Sequence, residues 1–92
     1  MTNNTLNEYN ELRIGDKVGT PGRMVIAYTK RGERIVGDSY ATWVAICVDD
    51  TEYHPYVVWT VIARPEGWCA EGGDYCFTLD DALVAYKARG GE

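Results

Sequence analysis

The chain has little of the chemistry that enzymes and metalloproteins usually need. Among its 92 residues there is one histidine, His54, and three cysteines, Cys47, Cys69 and Cys76, with no C-x-x-C pair. A lone histidine beside three unpaired thiols offers no ligand spacing for structural zinc. An odd number of thiols suits a reducing cytoplasm better than a disulfide framework. Neither a metal nor a cofactor is expected. There is also no run of the ~18 to 20 apolar residues that a membrane-spanning helix requires, and the polar stretch Met1 to Glu11 carries no apolar signal core. The expectation is a cytoplasmic protein without a membrane partner. The glycine-bearing stretches Gly19-Thr20-Pro21-Gly22 and Glu71-Gly72-Gly73 lack both the strand-to-helix G-x-G-x-x-G and the G-K-[ST] ending that cradle phosphates, so they read as turns. A nucleophilic set of Cys47, His54 and the Asp49/Asp50 pair can be drawn on paper. A single cysteine on an alternating strand is ordinarily a small core residue, however, and the expected protein is not an enzyme.

What the chain does have is β-branched and aromatic residues in blocks. Tyr56 to Arg64, closed by Pro65, is the strongest strand, with Val57, Trp59, Val61 and Ala63 on one side and Tyr56, Val58 and Ile62 on the other. Both of its faces should be covered. Tyr40 to Val48 alternates in the same way, Thr42, Val44, Ile46 and Val48 against Trp43, Ala45 and Cys47. Arg23 to Lys30 sets Met24, Ile26 and Tyr28 opposite Val25 and Ala27, and a break at Arg31-Gly32 predicts a hairpin whose return strand begins at Glu33. Trp68 to Ala70 and Asp74 to Phe77 read as two short strands around a reversal or bulge at Glu71-Gly72-Gly73. A helix from Leu79 to Arg89 closes the chain. Thr78 is its N-cap, Asp80 and Asp81 lie at its positive end, and Lys87 and Arg89 lie near Gly90 at its negative end. Leu79, Ala82, Leu83 and Tyr86 form its apolar face. The predicted architecture is α+β: five to six antiparallel strands in a strongly curved sheet with one C-terminal helix packed on it. Residues 1–11 form an expected flexible arm and residues 12–92 a single domain.

Two resemblances add to this reading. Leu12-Arg13-Ile14-Gly15-Asp16-Lys17-Val18 is similar to the first hairpin of SH3-like barrels, which implies an SH3-like regulatory protein-binding module. The run Tyr56-Val57-Val58-Trp59, Gly67-Trp68, Gly73-Asp74-Tyr75 and Thr78-Leu79-Asp80-Asp81-Ala82, followed by Tyr86 and Arg89, resembles small uncharacterised accessory proteins of bacteriophages over about residues 53–90. That resemblance implies an inhibitor of a host protein and carries over no catalytic residue.

The net charge of -5 is uneven. The first 46 residues balance Glu8, Glu11, Asp16, Glu33 and Asp38 against six bases, whereas the remainder sets nine acids against Arg64, Lys87 and Arg89. Such a second half repels free nucleic acid and attracts a basic protein surface. The aromatics exceed what one small core consumes, and Tyr and Trp anchor interfaces. The leading expectation is therefore a phage-encoded inhibitor of a host defence protein, anti-CRISPR or anti-restriction, that binds through Asp49, Asp50, Glu52, Tyr53, Tyr56 and Trp68. Homodimerisation is left open. The alternative is a sequestering protein for a signalling nucleotide, with aromatics on the base and Arg23, Arg31 and Arg34 on the phosphates.

Overall fold

A computed structural model describes residues 9–19, 22–34 and 39–92. Among these residues five strands follow one another: β1 (Lys17–Val18), β2 (Arg23–Arg34), β3 (Tyr40–Val48), β4 (Tyr56–Arg64) and β5 (Gly67–Cys76). They are succeeded by one helix, α1 (Leu79–Ala88). All neighbours pair antiparallel in the order β1-β2-β3-β4-β5, a meander that curls into a half-barrel. The curl brings β1 towards β5. No helix among the described residues is long and apolar enough to cross a membrane.

The central strand has the two-sided burial its composition implies. Val57, Trp59, Val61 and Ala63 enter a core enclosed by the curl, together with Leu12, Val18, Val25, Ala41, Trp43, Ala45 and Cys47. Val58 and the half-buried Tyr56 face a second core, where Val44, Ile46, Ala82 and Tyr86 pack under the helix. Each fully buried valine contributes roughly 1.5 to 3 kcal/mol by leaving water. The three central strands alone therefore outweigh any single polar contact in the molecule.

β2 departs from the predicted hairpin. The strand continues through Arg31 and Gly32 to Arg34, and the break in its pattern is a bulge. Ile35 and Val36, the expected return strand, lie outside the described residues. Two extra residues, Ile26 and Arg31, interrupt the pairing with β3, between Val25 and Ala27 and between Lys30 and Gly32. Each resets the alternation. Val25 therefore lies in the inner core while Ala27 joins Ile26 beside the outer one, so the predicted common side for Val25 and Ala27 is wrong. Tyr28 turns inward, its ring edge-on to Trp43 at 5.2 Å.

The two predicted short strands around Glu71-Gly72-Gly73 are likewise one strand, β5, carrying a bulge: Val58 pairs with Asp74 and Thr60 with Glu71. Gly72 takes φ +61, and a Cβ on Gly73 would stand 2.6 Å from the Trp59 indole nitrogen. Glycine at these two positions is what lets the bulge close over Trp59. Arg89 then locks it, donating to Asp74 at 2.8 Å, to the Thr60 hydroxyl at 3.1 Å and to the Gly72 carbonyl.

The helix starts where its cap predicts, the Thr78 hydroxyl accepting from the Asp81 amide at 3.1 Å. Its buried face is rotated from the predicted one: Ala82 and Tyr86 are buried and Ala85 packs beside them, while Leu79 and Leu83 are 42% and 39% exposed. The tethers explain the rotation. Tyr86 shares a 2.5 Å hydrogen bond with Thr29 of β2, and Arg89 holds the helix end to β5, which turns the Ala82 side down and the leucines out.

At the start of the described chain, residues 9–12 lie across one end of the half-barrel. Asn10 bonds the Arg64 and Pro65 carbonyls, its own carbonyl accepts from Trp68 at 3.0 Å, and the Tyr9 hydroxyl donates to Glu33 at 2.6 Å. Three residues assigned to a flexible arm are thus docked; residues 1–8 lie outside the described part.

Candidate functional site

The loop joining β3 to β4, residues 49–55, is built by its own sequence. The Asp49 carboxylate accepts from the Thr51 amide at 3.0 Å and the Thr51 hydroxyl at 2.6 Å, closing the local turn that aspartate followed by threonine favours. The Thr51 hydroxyl, then the Thr51 amide, holds the Asp49 carboxyl below its ordinary range, so it stays charged. Pro55 closes the loop by accepting from the Asp49 amide at 2.9 Å.

Arg23, at the start of β2, lies beneath this loop and is only 7% exposed. Its guanidinium donates to the carbonyls of His54 at 2.8 Å and Pro55 at 3.1 Å, approaches Glu52 at 3.8 Å and lies 5.4 Å from the centre of the Tyr75 ring. A planar fork satisfied on several sides is a structural pin.

Above the pin sits an aromatic cluster at the surface. Tyr53 stands edge-on to His54 at 4.9 Å and to Phe77 at 5.2 Å, Phe77 lies 4.3 Å from His54, and Tyr75 closes the group at 6.4 Å from His54. Tyr53 is 79% exposed, and Tyr75 and Phe77 are each 54% exposed. Rings held in mutual contact yet open to water are pre-organised contact area, since their rotamers are already restricted. On the β2 side of the loop a cleft of about 260 Å³ is lined by Lys17, Gly22, Met24, Val48, Asp49 and Asp50. That volume falls below the roughly 300 to 1,000 Å³ of sites that enclose drug-sized ligands.

The structure brings Asp49, Asp50, Glu52 and Tyr53 together on one loop. It does not bring Tyr56 and Trp68 to them. Tyr56 is half-buried against the outer core, and Trp68 lies at the far end of β5, opposite Ala63, with its indole nitrogen spent on Asn10. Both are packing residues. Nor do the three arginines converge. Arg31 and Arg34 lie eight and eleven residues along β2 from Arg23, roughly 25 Å or more at strand rise, and Arg31 donates to the Gly90 carbonyl at 3.3 Å.

Sequence reasoning missed His54, Tyr75 and Phe77 as members of the cluster. The pairing of Tyr56 with Cys76 carries Phe77 back beside His54, and that register depends on the β5 bulge, which glycines hint at but do not place. The thiols do not assemble with His54 either. Cys47 is sealed in the inner core, where burial pushes it up to about 12. Among the described residues no three His, Cys, Asp or Glu side chains cluster as they would around a metal. No protein-family model matches the sequence, and neither the curated proteins nor the solved structures gave a match.

Proposed function

We propose that this is a non-enzymatic interaction protein that binds a protein partner with a basic surface through the 49–55 loop and the aromatic cluster joined to it. The observation that carries this reading is Tyr53, 79% exposed, braced by His54 and Phe77 and bordered by Asp49, Asp50 and Glu52 on a loop pinned by Arg23. A rigid aromatic centre with a carboxylate border matches a partner that offers apolar area ringed by lysine and arginine. In keeping with the resemblance to phage accessory proteins, the proposed partner is a bacterial defence protein and the proposed outcome its inhibition. The nucleotide alternative draws no support from the geometry, because its phosphate-binding arginines are apart and Arg23 is already engaged.

The test compares affinity captures from bacterial lysate by the native chain, by a variant with Asp49, Asp50 and Glu52 changed to Asn, Asn and Gln, and by Tyr53→Ala. The captured protein's affinity is then measured at two salt concentrations. Loss of an exposed hot-spot ring should weaken binding at least about tenfold. The triple variant should slow association and flatten its salt dependence. Equal affinity for all three chains would refute the site.

A further inference from the structure

The helix carries a second exposed surface, on the side away from the sheet. Asp80, Leu83, Val84 and Lys87 stand at i, i+3, i+4 and i+7, so they form one ridge along α1, and all four are exposed, Val84 at 71%. Leu79, also exposed, lies beside this ridge, and neither leucine is needed to cover the outer core, which Ala82, Ala85 and Tyr86 complete. Among the described residues neither Asp80 nor Lys87 takes part in an ion pair.

We propose that this ridge is the interface of a two-fold homodimer. The order along the ridge is acid, apolar, apolar, base, with the charges equidistant from the apolar centre. A second copy laid antiparallel about an axis between Leu83 and Val84 sets Leu83 against the partner's Leu83, Val84 against the partner's Val84, and Asp80 against the partner's Lys87. By symmetry the Asp80–Lys87 contact occurs twice. An acidic partner would be repelled by Asp80 and a basic one by Lys87, whereas a copy of the ridge itself satisfies both charges. The i, i+4 ridge of one helix also fits the groove of another at the usual 8 to 10 Å separation. Two ten-residue helices make an interface near or below the roughly 1,200 Å² at the lower end of stable complexes, so the dimer is concentration-dependent. This inference is independent of the loop: its failure leaves the loop site untouched.

Sedimentation equilibrium over a wide concentration range, at about 0.15 M salt, should show the native chain passing from monomer to dimer. Leu83→Glu should abolish the dimer. Asp80→Lys replaces two attractive pairs by two repulsive ones and should weaken self-association about tenfold. Lys87→Asp should do the same, and the double swap in one chain should restore the dimer to within a few-fold. Mixing the two single variants should yield a heterodimer, a result that a merely misfolded helix cannot give; circular dichroism checks each chain. A native chain that stays monomeric, a dimer indifferent to Leu83→Glu, or folded single variants that fail to pair on mixing would each overturn the proposal.

Discussion

Replacing Arg23 by alanine should cost more than its ion pair with Glu52 suggests. The Glu52 contact is long at 3.8 Å and its carboxylate is 44% exposed, so screening and side-chain entropy reduce it to roughly half a kcal/mol or less. The two carbonyl bonds at 2.8 and 3.1 Å are charge-assisted and made by a buried donor. Bonds to charged groups contribute about 1.5 to 3 kcal/mol each, but the freed His54 and Pro55 carbonyls lie on a loop where water can reach them, which recovers part of the loss. A net cost of about 2 to 3 kcal/mol follows, and for a domain of this size that lowers Tm by on the order of 10 °C. Arg23→Lys keeps the charge without the fork and should recover less than half. Glu52→Gln should shift Tm by no more than about 4 °C. Differential scanning calorimetry gives the three values, and hydrogen exchange should show protection lost first in residues 49–55. An Arg23→Ala change no larger than that of Glu52→Gln would refute the view that Arg23 works through the loop carbonyls.

Other changes separate packing from chemistry. In the native protein Cys69 should alkylate at pH about 8 while Cys47 stays inert; because burial raises the Cys47 pKa, its neutral form stabilises the fold below the ordinary thiol range, and that contribution fades as pH climbs from about 9 towards 12. Urea midpoints measured across that interval should fall more for the native chain than for Cys47→Ala, which itself pays a modest packing cost at neutral pH. Gly73→Ala should destabilise the protein by about 1 to 3 kcal/mol because the added methyl meets the Trp59 ring, as denaturant unfolding will show. Trp43→Phe should cost clearly less than Trp59→Phe, since it deletes a buried indole N–H that has no hydrogen-bond partner among the described residues. The Glu33 carboxyl is held below its ordinary range chiefly by the Tyr9 hydroxyl, so the Tyr9 contact is at full strength above pH about 4 and weakens as pH falls through the depressed value, while Asn10 and the buried Leu12 keep the segment docked; carboxyl resonances followed by NMR would report it.

The fold was legible wherever a face repeats without interruption. β3 and β4 alternate along their whole length, and their assignment to opposite cores follows from side-chain period alone. The helix was legible from Thr78, the two aspartates and Gly90, which set its ends chemically. β2 and β5 were not, because a bulge and a hairpin leave the same trace in sequence: alternation that stops at a glycine and restarts out of phase. At Gly32 and Gly72-Gly73 the difference lies in whether a partner strand continues past the break, information held in β3 and β4. The same ambiguity hid half of the candidate site. Acidic residues and Tyr53 cluster in sequence and so were visible together, whereas Tyr75 and Phe77 reach them only through a register that one extra residue at a bulge can move. Arg23 misled for a further reason: composition shows that an arginine is present but not whether carbonyls wait for it inside.

The two ends of the sheet are chemically unlike, and that difference bears on where function can lie. At the end holding Lys30, Glu33, Arg64 and Trp68, the polar groups answer one another: Lys30 binds Tyr9 at 2.6 Å and Glu11 at 3.2 Å, and Asn10 spans β4 and β5. Aromatic side chains there stack inward or lie under cations, as Lys30 does over Trp43 at 5.1 Å. At the other end a single buried arginine satisfies the backbone, and the rings and carboxylates above it are turned to water. Exposed apolar surface kept in fixed geometry is costly unless something binds it, since a polar replacement at Tyr53 or Phe77 would lose little packing. Polar substitutions at the first end should therefore lower stability before they touch any interaction. At the second end Tyr53→Ser and Phe77→Ser should leave Tm nearly unchanged and remove binding. The reverse pattern, with Tm falling at Tyr53 and partner affinity falling at Asn10 or Trp68, would move the interaction surface to the opposite end of the half-barrel.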